Sequence, residues 1–102
     1  MIIYNVTVSV EESLKGEWLD WMKTEHIPEV MACGIFTKAQ INRVIVQTDS
    51  DNTFAIAYTC SSMKDLHYYQ IKFAPELQKK HNERFKEKAV AFRTIMEVIE
   101  EF

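Results

Sequence analysis

Apolar positions alternate along Ile2 to Val10, with Ile2, Tyr4, Val6, Val8 and Val10 on one face and Ile3, Asn5, Thr7 and Ser9 on the other. A period of two predicts a β-strand with one dry face and one mixed face. Glu11 and Glu12 come next, and their charge suits the start of a helix. On a helix advancing about 100° per residue, Leu14, Trp18, Trp21, Met22 and Glu25 share an arc of about 100°, with Leu19 and His26 at one margin. Pro28 disfavours the α conformation at Ile27, so the helix is expected to end near Glu25 or His26. A short second turn then starts with Pro28 in its first position and closes on Gly34 as a left-handed residue.

Ile35 to Gln47 reads as a second, less regular strand ending in Val44, Ile45 and Val46. Thr48 to Asn52 is a turn by composition, so the flanking strands should pair as a hairpin. The third strand, Thr53 to Cys60, puts Phe54, Ile56, Tyr58 and Cys60 on one face and small residues, Ala55, Ala57 and Thr59, on the other. Ser62 with Asp65 resembles a capping box opening a helix whose stripe is Met63, Leu66, Tyr69 and Phe73. That helix should stop or kink at Pro75, and a further piece continues through Leu77, His81 and Phe85. Ala89 to Ile99 is the last strand, with Phe92, Thr94, Met96 and Val98 on one side and Arg93, Ile95, Glu97 and Ile99 on the other.

The order βαββαβ implies an α+β fold of the ferredoxin-like kind: a four-stranded antiparallel sheet with both helices on one face. The uncovered face is expected to carry Ile3, Ile95 and Ile99 among Asn5, Thr7, Ala55, Ala57, Arg93 and Glu97. Such a face is too apolar for plain solvent surface and too polar for a dry core, which suits a homodimer formed sheet on sheet.

The length of 102 residues corresponds to one domain, 1–102. Hydrophobic content of 47% and charged content of 26% are those of an ordinary globular chain, and a net charge of −3 argues against a nucleic-acid partner. Met1 leads straight into the first strand without a basic region or cleavage site, and no apolar run approaches the roughly 18 residues of a membrane span. Cys33 and Cys60 stand apart in apolar settings and read as reduced packing residues, so the chain is expected in the cytoplasm, away from membranes. Two glycines leave no phosphate-cradling loop. His26, His67 and His81 show no paired ligand spacing and the cysteines form no C-x-x-C, so neither metal nor cofactor is expected.

Rare residue types concentrate between Trp18 and Phe36. Two indoles share a stripe with an acid and an imidazole, and His26 is expected beside a helix break, where it can project into a cavity. It then either bonds a backbone carbonyl, or contacts a ligand or handles a proton. Glu25, in the last helical turn, either reaches water or is buried with a raised pKa as a second proton-handling group. The tryptophans are either core or pocket. His81 lies on an apolar line, as a satisfied core histidine in the favoured reading and a functional one in the other, and Lys79, Lys80, Arg84, Lys86 and Lys88 form a basic face.

The runs W-x-x-W-M-x-x-x-H-I-P-x-V-x-x-x-G-x-F from Trp18 to Phe36, A-P-x-L-x-x-x-H-x-x-x-F from Ala74 to Phe85 and A-F-R-T-I-M-E from Ala91 to Glu97 resemble the small bacterial family DUF4286. That family is similar to the dimeric α/β-barrel superfamily and has no established activity, so the resemblance implies fold and dimerisation. Superfamily relatives include cofactor-independent monooxygenases of aromatic substrates, haem-degrading enzymes and ligand-binding dimers, in which a ligand usually occupies the cleft between helices and sheet. Carried over, that cleft would be lined by Tyr4, Trp18, Trp21, Met22, His26, Phe36, Tyr58, Tyr69 and Phe73. The haem-degrading branch relies on an Asn, a Trp and a His. Asn5 and His81 suit the first and last roles, but Tyr58-Thr59-Cys60 stands where the Trp belongs, which counts against haem. Three readings follow: a homodimer binding a small, flat, mostly apolar molecule with a polar contact from His26, a monooxygenase- or isomerase-like enzyme using His26 and Glu25, and a structural or regulatory dimer without a ligand.

Overall fold

Strands of alternating hydrophobicity and helices with one apolar stripe assemble in the expected order. The computed structural model describes residues 1–45 and 51–102. Strand β1 (Ile2–Val10) leads through a short 3-10 turn (Glu12–Leu14) into α1 (Lys15–Trp21), a π-helical turn (Met22–His26) and α2 (Ile27–Ala32). Then come β2 (Lys38–Arg43), β3 (Thr53–Cys60), α3 (Met63–Lys72), α4 (Ala74–Phe85), a second 3-10 turn (Lys86–Lys88) and β4 (Ala89–Glu97). The four strands form one antiparallel sheet in the order β2-β3-β1-β4.

The helices cover one face of this sheet. Trp18 is fully buried with its ring 5.2 Å from that of Phe54, while Leu66, Phe85, Val8, Val10 and Ile56 complete the densest part of the core. Tyr4, Phe36, Tyr58 and Tyr69 form an aromatic cluster toward the other end, with the Phe36 and Tyr69 rings 4.8 Å apart in an edge-to-face arrangement. The Ser62 hydroxyl accepts from the Asp65 backbone N–H at 3.2 Å, which makes it the N-cap of α3. Gly34 takes φ 77° after α2, and its N–H bonds the Met31 carbonyl. Both cysteine thiols are free.

Three features differ from the sequence reading. The first helix does not break before Pro28. In a regular α-helix the ring of Pro28 would clash with the carbonyl of Thr24; here the π turn fits one more residue into the preceding coil, and the Ile27 N–H bonds back to Met22 O. The Thr24 hydroxyl occupies the carbonyl of Asp20 at 2.7 Å, so the widened turn keeps this acceptor bonded. The second strand is shorter than Ile35 to Gln47, although the Val44 N–H still bonds Thr53 O; Val46 and Gln47, with residues 48–50 of the expected turn, lie outside the described residues. The pairing of β2 with β3 accords with the expected hairpin.

The third difference concerns the faces of β4. Pairing of Val10 with Ala89, Val8 with Ala91, Val6 with Arg93 and Tyr4 with Ile95 puts Ala89, Ala91, Arg93, Ile95 and Glu97 on the helix side. Val90, Phe92, Thr94 and Met96 therefore join Ile3, Asn5, Thr7, Ala55 and Ala57 on the uncovered face, and the strand ends before Ile99. Alternation establishes which residues share a face but not which face turns inward. The register with β1 decides it, because residues opposite the buried row of β1 turn toward the helices: Ala89 is 6% exposed and Phe92 63%.

Candidate functional site

Small side chains on β4 leave unfilled volume between sheet and helices. A cavity of about 260 Å³ lies there, lined from β1 by Tyr4, Val6 and Val8, from β3 by Ile56 and Tyr58, and from β4 by Ala89, Ala91 and Arg93. The helical wall comprises Met22 and His26 of the π turn, Tyr69 of α3, and Leu77, Gln78, His81 and Asn82 of α4. The walls are aliphatic and aromatic, with polar groups gathered where the π turn, α4 and β4 meet.

The π turn sets the direction of two neighbours. Had the coil remained α-helical, Glu25 would share the stripe of Trp18 and Met22; the extra residue in the turn carries His26 inward and leaves Glu25 exposed. Glu25 lies instead at a shallow outer groove with Trp21, Glu29, Lys80, Glu83 and Arg84. There the Lys80 ammonium pairs with the Glu29 carboxylate at 2.9 Å, an exposed link from α4 to α2.

His26 stacks on Trp21 with ring centroids 5.0 Å apart and stands 6.0 Å from the ring of His81. Burial lowers its pKa from 6.5 to about 4, with His81 pushing the same way and the Glu29 carboxylate partly opposing, so it is a neutral imidazole at neutral pH. His81 accepts a hydrogen bond at Nε2 from the Trp18 indole N–H at 3.0 Å. An indole N–H only donates, so His81 must keep that nitrogen unprotonated and carry its proton on Nδ1. Burial again lowers its pKa, a hydrogen bond with the Asn82 side chain opposes this, and the Arg93 charge adds to the lowering. Burial pushes the Tyr58 and Tyr69 phenols above their ordinary range, which keeps both protonated.

Of the residues expected at the cleft, Tyr4, Met22, His26, Tyr58 and Tyr69 line the cavity together. Trp18, Trp21, Phe36 and Phe73 do not. Trp18 is core and holds His81, Trp21 backs His26, Phe36 packs behind the three tyrosines, and half-buried Phe73 packs on Tyr68 and Tyr69. Sequence reading passed over Gln78, Asn82, Ala91 and Arg93 as lining groups. Gln78 lies one helical turn before both His81 and Asn82 and was legible from that spacing; Ala91 and Arg93 depend on the facing of β4. Among the described residues, no group of three or more His, Cys, Asp or Glu side chains is placed to hold a metal ion, and no helix is long and apolar enough to cross a membrane.

A family model described as a domain of unknown function, DUF4286, matches residues 1–99, and the chain belongs to that family. No curated protein matches it. Solved structures share its fold. HapK from Hahella chejuensis superposes with a TM-score of 0.74 at 7% identity, over 100% of this chain and 96% of that one. A candidate antibiotic biosynthesis monooxygenase from Deinococcus radiodurans gives 0.70 at 11% identity, with the same coverage. A protein described as dimeric and ferredoxin-like, from an uncultured marine organism, gives 0.68 at 13% identity over 100% of this chain and 98% of that one.

Proposed function

We propose that this member of the DUF4286 family is a cytoplasmic homodimeric binding module, whose helix–sheet cavity takes a small, flat, mostly apolar molecule with His26 as a polar contact. The cavity itself carries this reading. Its volume of about 260 Å³ exceeds the roughly 150 Å³ that accepts a single benzene ring and falls below the roughly 300–1,000 Å³ of sites for drug-sized ligands, so it suits one or two fused rings. Aromatic and aliphatic walls with convergent polar groups are the usual make-up of such a site. The apolar row on the uncovered sheet face supports pairing of two copies.

One of the structural neighbours is described as a candidate monooxygenase, and in an enzyme of that or the isomerase kind His26 would move a proton. A pKa of about 4 makes it a weak base at neutral pH, so binding is the better use of the group. Turnover of phenols or quinols that His26→Ala abolishes would reverse this preference.

The test is titration calorimetry with 2-naphthamide, a neutral two-ring probe. Wild type should bind it saturably, and Ala91→Phe, which places a phenyl group inside the cavity, should weaken binding by about tenfold or more with the fold retained by circular dichroism. Equal affinity in the two proteins contradicts the cavity reading.

A further inference from the structure

None of the fifteen residues lining the cavity is an aspartate or glutamate. His26 and His81 are held neutral by burial, and Tyr58 and Tyr69 are held protonated. The Arg93 guanidinium is therefore the one formal charge on this wall at neutral pH. It projects from β4 on the helix side, at the exposed edge of the cavity, in register with Val6. Among the described residues no carboxylate forms an ion pair with it, although Lys15, Lys79, Lys80 and Lys88 each have one. Its charge also reaches inward, since it lowers the pKa values of His26, His81 and Tyr69.

An arginine that serves only as solvated surface has no need to line a cavity walled by tyrosines and aliphatic side chains. A cation at the rim of a partly enclosed cavity, with no ion-pair partner among the described residues, attracts an anionic group more strongly than one in open water. Its planar fork matches two oxygens held in one plane. We propose that the cavity selects flat aromatic acids: the ring lies against the tyrosine and aliphatic walls, and a carboxylate or similarly ionised oxygen pair meets Arg93 at the mouth. Gln78 and Asn82, which line the same cavity, can supply neutral side-chain amide donors. This inference rests on the cavity being a binding site and adds the charge class of its occupant.

Titration calorimetry with 2-naphthoate and with its neutral isostere 2-naphthamide tests it. Wild type should bind the carboxylate about tenfold or more tightly than the amide, the size of one charge-assisted hydrogen bond. Arg93→Gln should bring the two probes to within about twofold of each other, while Arg93→Lys, which keeps the charge without the fork, should retain part of the preference. A wild type that binds the amide as tightly as the carboxylate overturns the charge assignment alone, as does an undiminished preference in Arg93→Gln. Failure of both probes to bind wild type overturns the binding reading and this inference with it.

Discussion

Two imidazoles sit in the same wall, and each owes its state to particular neighbours. His81 is fixed by a donor that cannot accept, the Trp18 indole, so its tautomer is set without reference to any ligand. Among the described residues the His26 side chain has no such hydrogen-bond partner, and Trp21 holds its ring by stacking. Its lowered pKa is a statement about stability. In the unfolded chain His26 takes up a proton near pH 6.5, whereas in the folded protein it resists protonation down to about 4. Stability from this group is therefore complete above pH 6.5 and declines as the pH falls toward 4, by about 3 kcal/mol in all. Urea unfolding of wild type and His26→Gln at pH 7 and pH 4 should show wild type losing more, by that order of magnitude, because the carboxylates titrate alike in both. Equal losses would contradict a buried neutral His26. The sequence made these two histidines legible as an interior pair only in part: helical spacing put His81 on an apolar line, but His26 stood at the margin of its stripe until the π turn brought it inward.

The π turn is the element on which the site depends, and it answers to Pro28. Deleting Lys23, an exposed residue of the turn, removes the extra residue and closes the coil to regular α-helix, which forces the proline ring against the carbonyl four residues back. The deletion alone should cost about 3 kcal/mol, and the same deletion combined with Pro28→Ala should recover most of that, measured by urea unfolding. Equal costs in the two backgrounds would show that turn and proline are uncoupled. The sequence revealed the conflict at Pro28 but not its solution, since a break and a widened turn both satisfy a proline. Elsewhere the elements were legible because local signals agreed: β1 and β3 keep their expected bounds, and Ser62 caps α3. The facing of β4 was not, because both of its rows contain apolar residues. The pairing register with β1, which sets Ala89 and Ala91 opposite the buried Val10 and Val8, turns them inward.

At the scale of the molecule the same inversion has two consequences. It turns the alanines and Arg93 toward the helices, which opens the cavity and charges its rim. It also turns Val90, Phe92 and Met96 outward beside Ile3, an exposed apolar row that we propose pairs two copies sheet on sheet. Phe92→Glu places a charge in the middle of that row and should convert a dimer to a monomer in light scattering coupled to size exclusion, with the fold intact because Phe92 is exposed in the single chain. A variant that keeps the wild-type mass would place the interface elsewhere. The cavity lies on the opposite face of the sheet from this row, so dimerisation through it leaves the Arg93 mouth on the helix side.

Whether the space between helices and sheet is a binding site is most directly read by a ¹H–¹⁵N correlation titration of the wild-type protein with 2-naphthamide, whose neutrality keeps Arg93 out of the result. Saturable shifts should concentrate at Tyr58, Leu77, His81 and Ala91, on three of the elements that wall the cavity. Shifts confined to the outer sheet face, or an unchanged spectrum at millimolar probe, would contradict it.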